Sequence, residues 1–158
     1  VSLSALLGVT VLRLWRLSTV SAEGSITLLC TLVLETDAGF VTLFSGQEGV
    51  SCRGPEPRQE IRWETEPELA MGASAGAEEW LDLAPVGEAL STTVTSVRTL
   101  TGVGSYTLTF ALFLGELAIA VTDEFDLECL PRKEVRRRAE TLTAALGLRL
   151  VESELHAV

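Results

Sequence analysis

Residues 24–52, GSITLLCTLVLETDAGFVTLFSGQEGVSC, and residues 104–129, GSYTLTFALFLGELAIAVTDEFDLEC, carry one pattern twice, and that pattern decides how the chain is read. Gly24, Ser25, Thr27, Leu28, Leu32 and Leu34 recur as Gly104, Ser105, Thr107, Leu108, Leu112 and Leu114. Across a hairpin connection three residues shorter in the second stretch, Phe40, Thr42 and Phe44 align with Leu117, Ile119 and Val121. Val50 and Cys52 then align with Leu127 and Cys129. A shared period sets architecture before any single motif does.

Both stretches alternate as strands do. Side chains two apart share a face, so Ile26, Leu28, Cys30, Leu32 and Leu34 form one face, as do Tyr106, Leu108, Phe110, Leu112 and Leu114. The alternation predicts that 26/106, 28/108, 30/110 and 32/112 occupy equivalent buried sites. Val33 and Phe113, on the opposite face, then need cover from a helix or a partner. Asp37-Ala38-Gly39 and Gly115-Glu116 are placed for tight hairpin turns.

Upstream, Leu7, Thr10, Val11, Leu14 and Leu17 match Leu90, Thr93, Val94, Val97 and Leu100. This match decides in favour of a strand over residues 3–17, where helical spacing competes. The three-residue apolar spacing is not strand-like, so a bulge is expected in both copies. The fold class that follows is α+β, mostly antiparallel β, with about six to eight strands and one C-terminal helix. It is a single domain in which repeat 1 (3–52) and repeat 2 (89–129) pack as a pseudo-twofold body, separated by an insert (53–88) and followed by a helix and tail (130–158).

The insert is different material. It holds four of the five prolines and nine carboxylates against Arg53, Arg58 and Arg62. Residues 59–64 alternate well enough for one more strand, 71–76 read as a flexible link, and 77–83 as a helical turn anchored by Trp80. Runs of acids are usually solvated faces. The competing reading is a binding surface, because Trp63 and Trp80 interleave with Glu60, Glu64, Glu66, Glu68, Glu79 and Asp82, and aromatics are enriched at interface hot spots.

Pro131 opens the one convincing helix, Gly147 suits its C-terminal side, and Val135, Ala139, Leu142 and Leu146 form its apolar stripe. Arg132, Lys133, Arg136, Arg137 and Arg138 crowd its first half, against the helix dipole. Asp123, Glu124, Asp126 and Glu128 just before it, or the insert, are the expected counterweights. Residues 148–151 form a last edge strand, and 152–158 fray.

Composition excludes more than it assigns. The 158 residues carry a net charge of −10, which argues against nucleic-acid and anionic-membrane binding and favours a basic protein partner. No apolar run reaches the roughly 20 residues of a membrane-spanning helix. Cys30, Cys52 and Cys129 lack metal-ligand spacing and read as reduced core residues of a cytosolic protein, with a Cys52–Cys129 bridge left open by the alignment. The acids at 123–128 lack ligand spacing for a hard cation. The single histidine, His156, lies two residues from the end, and no nucleophile elbow, phosphate loop or dinucleotide fingerprint occurs. The expectation is a non-enzyme without cofactor or metal. The alternative is a carrier holding a small apolar ligand inside the β body.

The two-copy plan, the acidic charge, the lone terminal helix and the L-x-x-x-V-x-x-V/L-x-x-L … G-S-x-T-L pattern resemble the small bacterial immunity proteins that neutralise secreted toxins. The resemblance implies stoichiometric inhibition of a cognate toxin without catalysis, and it carries over no functional residue.

Overall fold

A computed structural model describes residues 2–21, 24–46, 49–58, 61, 80–122 and 124–156. It contains a 3-10 helix (Leu3–Leu6), strands β1 (Thr10–Ser21), β2 (Gly24–Thr27), β3 (Thr31–Thr36), β4 (Gly39–Gly46), β5 (Gly49–Glu56), β6 (Trp80–Val86), β7 (Thr92–Thr93), β8 (Val97–Val103), β9 (Thr107–Leu114), β10 (Leu117–Val121) and β11 (Leu127–Cys129), helix α1 (Arg132–Ala145) and strand β12 (Arg149–Leu155). All pairings are antiparallel, in two sheets. Over the described residues the chain is therefore α+β, mostly antiparallel β, with a single α-helix near the C-terminal end. Among the described residues no helix is long and apolar enough to cross a membrane.

In the first sheet β1 is central. One of its edges carries β3 over residues 11–15 and β2 over residues 18–21, while the other carries β7 and β6. β4 and β5 extend the sheet beyond β3, and the second sheet runs β11-β10-β9-β8-β12. The inner faces meet in a core of fully buried side chains, among them Val11, Leu32, Leu34, Val41 and Leu43 from the first sheet and Val97, Leu112, Leu114, Ile119 and Leu127 from the second. The outer face of the second sheet, with Leu100, Phe110, Ala111 and Phe113, is covered by Val135 and Ala139 of α1. On the outer face of the first sheet, Leu17 and Val33 pack with Ile61. Phe113 and Val33 thus receive their cover from a helix and from the insert respectively.

The strand registers correspond over four strands. Leu14 pairs with Leu34 and Leu34 with Val41; in the second sheet Val97 pairs with Leu114 and Leu114 with Leu117. The next row runs Leu32, Leu43, Cys52 and, in the second sheet, Leu112, Ile119, Cys129. The β1–β3 pairing shifts between Val11 and Arg13, with Leu12 of β1 the extra residue, as expected. In the β8–β9 pairing the skipped residue is instead Phe110 of β9, so the second bulge lies in the partner strand and turns Phe110 to the outer face beside Phe113.

Several expectations fail. The residues matching Leu117 and Ile119 are Val41 and Leu43, not Phe40 and Thr42, because the second hairpin closes at Leu114–Leu117 and the first only at Thr36–Gly39. Tyr106 is 45% exposed, and Leu28, Cys30 and Leu108 are only partly buried. The side chain of Ile26 lies outside the described residues. The continuous strand expected over 24–34 is broken at 28–30, and residues 3–6 are 3-10 helix instead of strand. Residues 80–86 are strand β6, not a helical turn, and Glu152–Leu155 continue β12 instead of fraying. Pro85 is tolerated because β6 is an edge strand. In α1 the buried stripe ends on Thr143, leaving Leu146 41% exposed. Pro131 lies one residue before the helix instead of at its first position, with its carbonyl accepting from the N–H groups of Glu134 and Val135. Gly147 takes φ +70 just beyond the helix's C-terminal end.

Candidate functional site

The sequence-expected face is carried by the connection between β5 and β6. β5 lies at one edge of the first sheet and β6 beyond β1 at the other, so this connection joins opposite edges. Ile61, its one described residue past Arg58, is buried against Leu17 and Val33 on the outer face. Glu60, Trp63, Glu64, Glu66, Glu68 and Glu79 lie outside the described residues, as does the side chain of Trp80, whose backbone pairs with Val20. Asp82 is exposed, and its carboxylate accepts from the N–H of Leu83 at 2.9 Å.

Charge is distributed unevenly. Of the 12 Lys and Arg only Arg62 lies outside the described residues, against nine of the 22 Asp and Glu, six of them between residues 60 and 79. The described body is thus nearly neutral, and most of its cations are held by its own groups. Arg53 pairs with Glu56, Arg98 with Glu154, Arg136 with Glu152, and Arg138 with Glu128 and Glu134. Arg137 binds Glu134 through two nitrogens. Arg137, and then Arg138, hold the Glu134 carboxyl below the usual carboxylate range. Arg132 donates to the carbonyl of Gly115, and with Arg136 lies 5.1–5.3 Å from the centre of the Phe113 ring. The crowded first half of α1 is therefore offset by Glu128, Glu134 and Glu152.

Sequence reasoning missed the constellation at one end of the sandwich. β2 and β3 face the same edge of β1, but residues 28–30 add a bulge between them. Arg16 fills it. Its guanidinium donates to the carbonyls of Leu29 (3.2 Å) and Thr31 (2.6 Å), and reaches the second sheet at the carbonyl of Leu127 (2.7 Å). Leu127 N–H in turn donates to Leu29 O at 2.8 Å, and Ser45 Oγ donates to Phe125 O. Burial lowers the Arg16 pKa, opposed by Asp126 and Glu128. The only hint in the sequence was a cation among apolar neighbours, Leu14-Trp15-Arg16-Leu17.

The cysteines separate here. Each is a thiol. Cys52 is buried with its Sγ 3.7 Å from the Ser2 carbonyl, whereas Cys30 and Cys129 both lie within electrostatic reach of Arg16. Burial pushes the Cys129 thiol up, and Arg16 pulls it part of the way back. The pair suggested by the alignment, Cys52 and Cys129, shares the inter-sheet core, whereas Cys30 and Cys129 share Arg16 as a neighbour.

A surface groove of about 250 Å³ runs between α1 and β10, floored by Ala120, Val121 and Leu142 and rimmed by Thr122, Arg137, Arg138 and Thr141. Both rim arginines are already engaged by Glu134. His156 is exposed beyond β12.

Fold and surface together define a two-sheet antiparallel sandwich with one covering helix and an acidic connection between the edges of its first sheet. No protein-family model, curated protein or solved structure matches the chain.

Proposed function

We propose that the chain is a non-catalytic protein-binding domain for a basic partner, of the immunity type that inhibits a toxin, and that the acidic connection is its binding face. The observation that carries this reading is the charge partition: Arg53, Arg98, Arg136, Arg137 and Arg138 of the body pair with its own carboxylates, while six acids and no cation but Arg62 fall between residues 60 and 79. Held carboxylates imitate the phosphates that a basic nuclease cleft attracts, speeding encounter and excluding wrong partners. Trp63 and Trp80 are the anchors in this reading. The apolar-ligand carrier is disfavoured, since Leu32, Leu34, Leu112, Leu114 and Ile119 fill the space between the sheets.

The test is capture of partners from the source cells on the immobilised chain and on a Glu64→Lys/Glu66→Lys/Glu68→Lys variant. A basic protein held by the first and lost from the second is the expected result. Equal recovery on both, or recovery only of acidic proteins, overturns the proposal.

A further inference from the structure

Cys30 extends the β3 register, its carbonyl accepting from Ser45 N–H at 3.0 Å, opposite β4. Alternation from Leu34 and Leu32 puts Cys30 on the inner face of the first sheet. Cys129, two residues from buried Leu127, packs against the inter-sheet core from the second. The backbones of residues 29 and 127 touch through a hydrogen bond, and one guanidinium spans both segments. The two thiols thus belong to segments of different sheets that meet where Leu127 N–H bonds Leu29 O, and both lie within electrostatic reach of Arg16.

We propose that Cys30 and Cys129 form a redox-sensitive clasp, in which oxidation joins them in a disulfide that fixes the 28–30 bulge to β11. With a low-molecular-weight disulfide as oxidant, the Cys129 or Cys30 thiolate attacks a sulfur of oxidised glutathione and expels one glutathione. The second thiolate then attacks the mixed disulfide and expels the other. Two S–H bonds are lost, one S–S bond forms, and two glutathione thiols carry away the electrons and protons. Bridging requires Cα atoms about 4.4–6.8 Å apart, so oxidation must bring Cys30, whose segment is held by Ser45, Leu17, Arg16 and Leu127, to within that span of Cys129. Because the thiolate is the nucleophile and burial raises Cys129, the reaction accelerates as pH rises.

The experiment is treatment of the folded full chain with oxidised glutathione, followed by intact mass and peptide mapping. The expected result is loss of two hydrogens, a Cys30–Cys129 peptide pair, and a raised thermal midpoint that reductant reverses. The bridge must survive Cys52→Ser and vanish in Cys30→Ser and Cys129→Ser. The same treatment in urea should scatter pairing among the three cysteines, which distinguishes folded-state proximity from mere thiol content. Stable glutathione adducts without a bridge, no reaction, or a bridge to Cys52 overturns the proposal.

Discussion

Replacing Arg16 by Met keeps most of the side chain's length and removes its five donors. Three carbonyls lose a partner: Leu29 and Thr31 in the bulge, and Leu127 across the sandwich. A hydrogen bond to a charged group contributes roughly 1.5–3 kcal/mol net, so the gross loss lies near 5–9 kcal/mol. Two effects reduce it. Arg16 is only half-buried, so water reaches some of the stranded carbonyls, and Met avoids the desolvation penalty that lowers the arginine's pKa. The net expectation is a destabilisation of about 3 kcal/mol, or about 6–12 °C in thermal midpoint for a chain of this length. Arg16→Lys keeps the charge but cannot span three acceptors in a fixed fork, so it should fall between Met and wild type. Urea unfolding followed by tryptophan fluorescence gives the numbers. An Arg16→Met variant within about 0.5 kcal/mol of wild type would refute the reasoning, because a surface substitution has effects of that size.

Leu112→Ala should destabilise by about 2–5 kcal/mol, since Leu112 is fully buried between the sheets, while Tyr106→Ala should be near neutral; urea midpoints check both. Gly102→Ala would place a methyl 2.8 Å from Phe110 and from Thr143, so it should lower stability by about 1–3 kcal/mol and loosen α1, seen as faster amide exchange in residues 139–143. Glu134 has a depressed pKa, so its stabilising contribution is present above the ordinary glutamate pKa and disappears as pH falls through its lower folded value. Glu134→Gln should therefore lower stability at neutral and alkaline pH, leave it nearly unchanged below the folded-state pKa, and so flatten the acid limb of the stability–pH curve, a difference absent if the arginines do not hold the carboxylate.

Much of the fold was legible because turn glycines and alternating apolar residues act locally. Asp37-Ala38-Gly39 and Gly115-Glu116 close hairpins where the glycines take φ +128 and +60. The one-residue misalignment of β4 has a physical cause: residues 40–44 are apolar on both parities apart from Thr42, so pattern alone does not choose the inner face. The break at 28–30 depends on Arg16, twelve or more residues away along the chain, and no local propensity announces it. The β1–β6 pairing is equally non-local, and Trp80, with acids before it and Asp82 after it, gives no clear period. The candidate site was legible as composition only. Its anchor on the first sheet, Ile61, was hidden within an expected strand.

The central claim is that the acidic connection steers a basic partner onto the chain. The direct measurement is the association rate of the captured partner, from about 0.01 to about 0.15 M salt, where the screening length falls from about 30 to about 8 Å. The account predicts a rate that drops steeply with salt for the wild type and only weakly for Glu64→Lys/Glu66→Lys/Glu68→Lys, with the variant slower at low salt. Identical salt dependence in the two chains would contradict it.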